Sequence, residues 1–153
     1  MHDDRALPLP ALVGLDAARQ ALLLVAVDPQ LGGVVVSAAA GSGKSSLARG
    51  FRSLQNGAPF VELPLSSDEE SLLGGIDLEA TMRTGTRVLR RGTLARADGG
   101  AVYVDGLNLL PDSTANLLMA ALDRGELQIE REGLSVRQPA RFCLLASYDP
   151  SEG

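Results

Sequence analysis

The sequence predicts an α/β fold, a parallel sheet flanked by helices. Three observations predict it. Short apolar runs alternate with helix-like segments along the 153 residues, the order that strand–helix–strand units require. The run Val34-Val35-Val36 is followed by a loop of small residues and then by Lys44-Ser45 and a helix-like stretch over 46–54. The run Ala101-Val102-Tyr103-Val104 is apolar until it meets Asp105, and ligands of open α/β sheets bind beyond the carboxyl ends of strands.

The second observation carries chemistry. A strand, a loop of small residues, Lys-Ser and a helix make a phosphate-binding loop. Small residues let backbone N–H groups converge on phosphate oxygens, and the helix start adds its positive end there. Ala40, Gly41, Ser42, Gly43, Lys44, Ser45 and Ser46 are therefore the candidate nucleotide-binding residues. Lys44 reaches the outer phosphates and the Ser45 hydroxyl ligates Mg²⁺. The chain has thirteen arginines and one lysine, and that lysine is Lys44. A compact ammonium suits this position and a planar guanidinium does not. The pattern G-x-x-x-x-G-K-[ST] places Gly where this chain has Ala38, which an alanine tolerates only if φ there is negative. Asp105 is the expected second metal residue, holding Mg²⁺ through water while Ser45 binds it directly.

Composition bounds the alternatives. The chain is 45% apolar, enough for a core, and its net charge of −5 argues against a nucleic-acid surface. The one cysteine, Cys143, lies in an apolar run and reads as a buried strand residue. His2 stands alone near the start, and the first residues lack the basic-then-apolar build of a signal peptide. The stretch 21–27 is too short to span a bilayer, so the expected location is cytoplasmic.

In chain order, residues 1–11 read as an irregular arm. Asp16 reads as the N-cap of a helix reaching Val27 and ended by Asp28-Pro29. Gly32-Gly33 turns into the first strand, which reads as buried. Asn56-Gly57 breaks the chain before a strand over 60–64. Ser66 with Glu69 and Ser67 with Glu70 form overlapping capping boxes for a short helix ending at Gly74-Gly75. A further helical turn is expected over 77–83. Arg87, Arg90 and Arg91 read as solvated surface. A short helix over 93–98 closes at Gly99-Gly100 before the third strand. Pro111-Asp112-Ser113 opens a helix over 114–124 with Leu117, Leu118, Ala121 and Leu122 as its core stripe. Residues 127–131 and 134–137 alternate around Glu132-Gly133, a β-hairpin signature whose charged outer face points to solvent or a partner. Residues 142–146 form the fourth strand, ended by Asp149-Pro150.

Taken together these stretches resemble the AAA+ ATPase core of the magnesium chelatase family, whose members insert Mg²⁺ into protoporphyrin IX in chlorophyll and bacteriochlorophyll biosynthesis. The resemblance rests on Leu12-Val13-Gly14, Ala26-Val27-Asp28-Pro29, Gly41-Ser42-Gly43-Lys44-Ser45 and Leu63-Pro64-Leu65. It continues through Gly74-Gly75-Ile76-Asp77-Leu78-Glu79, Gly92-Thr93-Leu94-Ala95-Arg96-Ala97, Val102-Tyr103-Val104-Asp105 and Asn108-Leu109-Leu110-Pro111-Asp112. The charged hairpin is similar to that family's hairpin insertion. The resemblance implies one partial AAA+ core domain over 1–153, with a fifth strand, helical lid and later domains beyond it. It also implies ATP and Mg²⁺ as cofactors and the strand before the phosphate loop left as a sheet edge.

Three departures matter. The family's active ATPase subunit has a water-orienting Glu after the strand-end Asp, and here that position is Gly106. The family's phosphate-sensing Asn before a Pro is Asp149 here, and Ala38 replaces a glycine. This pattern resembles the D-type subunit, which supports assembly more than turnover. No catalytic residue is then expected in this chain. The resemblance implies an I-type ATPase subunit as ring partner and a large H-type subunit as porphyrin carrier. The alternative is an active, chaperone-like remodeller of the MoxR and magnesium chelatase I group, with Asp149 or Asp112 replacing the missing acid.

Overall fold

The computed structural model describes residues 8–131 and 133–151. Most of the expected N-terminal arm, the hairpin residue Glu132 and the last two residues lie outside the described residues.

Four parallel strands form the main sheet: β1 (Gly33–Ser37), β2 (Phe60–Glu62), β3 (Gly100–Val104) and β6 (Phe142–Tyr148). Their spatial order is β1-β6-β3-β2. Two further strands, β4 (Glu126–Arg131) and β5 (Leu134–Pro139), pair antiparallel as the expected hairpin. The helices are α1 (Asp16–Val27), α2 (Lys44–Phe51), α3 (Glu69–Leu73), α4 (Leu78–Thr84), α5 (Thr93–Arg96) and α6 (Asp112–Arg124).

The sheet separates two apolar clusters, because alternate strand residues face opposite sides. Ala101 and Tyr103 face Leu22 and Val25 of α1 and Leu47 and Phe51 of α2. Val102 and Val104 face Leu72 of α3, Leu94 of α5 and Leu118 of α6. All five residues of β3 are buried, as are the first six of β6. These central strands read as continuous apolar runs because both faces are covered. Cys143 is buried and free, as expected, and burial pushes its thiol above the ordinary range. No helix among the described residues is long and apolar enough to cross a membrane.

Several sequence expectations need correction. The run Val34-Val35-Val36 is not fully buried as its composition suggests: β1 is an edge of the described sheet, as the resemblance implies, and Val35 is 54% exposed. Apolar composition cannot distinguish a central strand from an edge strand covered on one face. Asp16 is not a cap but the first helical residue, and its carboxylate pairs with Arg19 one turn on. The overlapping Ser-Glu boxes are not used either. Asp68 caps α3 instead, accepting from the Ser71 N–H at 2.8 Å. A carboxylate accepts a helix N–H more strongly than a hydroxyl does. The helix after the phosphate loop starts at Lys44, two residues earlier than the pattern suggests, and gives way to a 3₁₀ turn over Arg52–Gln55. Leu9 belongs to the core, packing in the cluster with Phe51, so that part of the arm is anchored. The hairpin's outer face, with Gln128 and Glu130, is exposed as expected, while Leu127 and Ile129 anchor its inner face in the larger cluster.

Replacing Leu118 with Ala should therefore lower unfolding free energy by about 2–5 kcal/mol, since its side chain is fully enclosed. Met82→Ala, at a site 87% exposed, should stay within about 0.5 kcal/mol. Urea unfolding of both variants gives the comparison.

Candidate functional site

The parallel register decides what meets at the top of the sheet. Ser37 of β1 lies beside Tyr148 of β6, and Val104 of β3 beside Ala146. The loops leaving all three strands therefore open on the same end. The Ala38 N–H donates to the Tyr148 carbonyl at 3.1 Å, clasping the start of the phosphate loop to the end of β6.

The loop turns through Gly41 and Gly43 at φ 75° and 87°, values that side chains rarely adopt. Ala38 is not among the positive-φ residues, so the missing glycine leaves the turn unstrained. α2 then begins at Lys44, its free N–H groups aimed into the cleft mouth. The Lys44 ammonium donates to the carbonyls of Ala38 and, at 2.8 Å, Ala39.

Across the cleft stands Asp105. One carboxylate oxygen accepts from the Ser45 hydroxyl at 2.9 Å, and the other from the Ser147 hydroxyl at 2.5 Å. Ser147 in turn accepts from the Gly106 N–H at 2.8 Å. Its hydroxyl thus bridges backbone and carboxylate, tying the ends of β3 and β6. Burial raises the Asp105 carboxyl, but hydrogen bonds from Ser147 and Ser45 outweigh it and hold the group below its ordinary range.

Asp149 follows on the same wall. Its side chain accepts from the Ser151 hydroxyl at 2.6 Å and the Ser151 N–H at 2.9 Å. These bonds keep its carboxyl low, with Lys44 adding a smaller attraction. Asn108 reaches the Asp149 carbonyl at 3.4 Å.

The seven loop residues expected from sequence, from Ala40 to Ser46, line one open cleft of about 480 Å³ with Asp105. That lies within the ~300–1,000 Å³ usual for small-molecule sites. Gly106, Leu109, Ser147 and Asp149 complete the wall. Asp112 does not line it and heads α6 instead. Arg91 is turned away to the Ala95 carbonyl at 2.5 Å. Ser147 was not singled out in the sequence. Its signal is a hydroxyl near the carboxyl end of an otherwise apolar strand.

The residues fit a nucleotide–Mg²⁺ pair. A hydroxyl and a carboxylate already stand 2.9 Å apart beside a loop of N–H donors. No group of three or more His, Cys, Asp or Glu among the described residues would hold a metal unaided. Magnesium would therefore arrive with phosphate oxygens, as hard cations of this size do.

A family model described as AAA domain, dynein-related subfamily, matches residues 33–153. The chain is 54% identical over 143 residues to the magnesium-chelatase 67 kDa subunit of Chlorobaculum parvum, covering 93% of this chain and 23% of that one. It is 35% identical to the magnesium-chelatase 38 kDa subunit of Cereibacter sphaeroides, covering 95% of this chain and 53% of that one. A cryo-electron-microscopy-based model of the complex between subunits BchI and BchD of magnesium chelatase superposes with a TM-score of 0.80 at 35% identity, covering 97% of this chain and 56% of that chain.

Ser147→Ala should remove the bridge and lower unfolding free energy by about 1 kcal/mol near pH 7, the low end for a charged acceptor because Asp105 is open to solvent. The sign with pH follows from the depressed carboxyl. Its contribution is present above the unfolded value, near 3.8, and fades as pH falls through the lower folded value. The gap between wild type and Ser147→Ala should therefore narrow below pH ~4, leaving the share that comes from the Gly106 N–H, which does not titrate. Urea titrations at pH 7 and pH 3 measure both ends.

Proposed function

The chain belongs to the AAA domain family, dynein-related subfamily, and we propose that it is the AAA+ domain of a D-type magnesium-chelatase subunit that binds nucleotide and scaffolds the complex while hydrolysing little itself. The likeness to 67 kDa subunits supports this reading. In it, the 153 residues are one core domain of a longer protein. The complex is the ATP-dependent ligase that inserts Mg²⁺ into protoporphyrin IX, acting in the cytoplasm. An I-type ATPase subunit is the ring partner, and an H-type subunit carries the porphyrin. ATP with Mg²⁺ sits on Ala40, Gly41, Ser42, Gly43, Lys44, Ser45 and Ser46, with Ser45 and Asp105 on the metal side.

The observation that carries the weak-hydrolysis part is Gly106. It follows the strand-end aspartate, has no group to orient water, and holds φ 81°. A positioned base contributes about 10²- to 10⁴-fold, and that contribution is missing here. The backbone here is itself engaged: the Gly106 N–H donates to the Ser147 hydroxyl. A Cβ at 106 would meet the Leu109 side chain at 3.2 Å, in a conformation that side chains avoid.

The active-remodeller reading needs a substitute base. Asp112 is outside the cleft wall. Asp149 is inside it, but the two Ser151 bonds hold its proton affinity down. A low-pKa carboxylate is a weak base.

Binding of a fluorescent ATP analogue with Mg²⁺, paired with a phosphate-release assay, tests the proposal. Lys44→Ala should weaken binding at least about tenfold, given its direct reach to the phosphates. Wild-type release should lie on the order of 10²-fold below an active AAA ATPase. Release at ordinary rates would overturn the scaffold role.

Gly106→Glu gives a separate check. It should not restore hydrolysis, and it should cost about 1–2 kcal/mol of stability through backbone strain. Recovery of turnover in that variant would mean that the missing carboxylate was the whole lesion.

A further inference from the structure

We propose that Asp149 makes this cleft selective for a nucleoside diphosphate over the corresponding triphosphate. The inference rests on the nucleotide-binding reading above and deepens it by naming the ligand class.

Charge around the cleft is unbalanced. Its wall carries one cation, Lys44, and two carboxylates, Asp105 and Asp149. The two anions are not equivalent. Asp105 stands beside the Ser45 hydroxyl, where a magnesium ion would offset it. Asp149 has no such partner. Its Oδ1 is occupied by the Ser151 hydroxyl and N–H, which keep it ionised, and its residue is 5% exposed. The Asn108 contact and the clasp between Ala38 and Tyr148 fix the backbone on both sides of it. The carboxylate cannot swing away without breaking the two Ser151 bonds.

Position follows from how such loops work. The N–H cradle and the start of the helix take the inner phosphates, while the lysine tip and the metal face the outermost one. Asp149 lines the same cleft as Lys44, near enough to feel its charge. A terminal γ-phosphate would therefore enter between Lys44 and a carboxylate that is held ionised by its hydrogen bonds and that no metal offsets. A β-phosphate would stay in the cradle. Like charges a few Å apart at an effective dielectric of about 20 repel strongly, and the open cleft screens part of that. About tenfold discrimination is the expected residue of the two effects.

Competition of Mg-ADP and Mg-ATP against a fluorescent ADP analogue tests this with the full chain. Wild type should bind ADP about tenfold more tightly than ATP, and Asp149→Asn should bring the ratio within about threefold by tightening ATP. Asparagine keeps an oxygen for Ser151, and circular dichroism with a thermal melt confirms that the variant folds. A second measurement needs no variant: raising salt from about 50 to 500 mM should shrink the wild-type ratio, because the discrimination is Coulombic. Equal binding of both nucleotides by wild type overturns this proposal alone, as does a ratio unmoved by both Asp149→Asn and salt. Binding of neither nucleotide overturns the nucleotide-binding reading and this proposal together.

Discussion

The cleft depends on one constraint, the level parallel register of β1, β6 and β3. Pairing Val34 with Leu145 and Val102 with Leu144 brings three strand ends to one height. Only then can a hydroxyl on β6 meet a carboxylate just past β3, and a loop leaving β1 meet both. Side-chain alternation makes the register all-or-none: a one-residue slip of β6 would turn Leu144 and Leu145 to the wrong clusters. The two apolar clusters therefore position the chemistry from either side of the sheet. Ser147 then converts strand alignment into side-chain alignment, since one hydroxyl spans the Gly106 backbone and the Asp105 carboxylate.

Much of this was legible in the sequence. That the loop from Ala40 to Ser46 and Asp105 line one cleft was legible because the signals are local: small residues, a lone lysine, an apolar run closed by an acid. The hairpin and the stripe of α6 were found because periodicity is local too. What failed was what depends on competition or on distant neighbours. Ser66, Ser67 and Asp68 are all competent caps, and the choice among them turns on where α3 packs. The three valines of β1 look the same whether the strand is central or at an edge; the resemblance implied the edge, and the β1-β6 pairing shows it within the described sheet. Ser147 was missed because a serine acquires its role from residues about forty positions away.

Gly106 shows how a one-letter difference hides a conformational one. On paper it is an absent side chain. In the fold its φ of 81° redirects the chain after β3 into the 3₁₀ turn Leu107–Leu109, and its N–H donates to Ser147. The two descriptions differ in what they say about reversibility. A missing group can be put back, whereas a turn that has settled into the left-handed region resists every residue except glycine and a few polar ones.

The edge position of β1 has a consequence for how the molecule breathes. β3 is paired on both sides and buried throughout, so its amides should exchange with solvent only on global opening. β1 is paired only to β6 within the described sheet, and Val35 is open to water. The phosphate loop thus hangs from the strand whose local opening costs least. A ligand in the cradle would be felt first as slowed exchange along 33–37, and the stability of that one strand becomes a gauge of cleft occupancy.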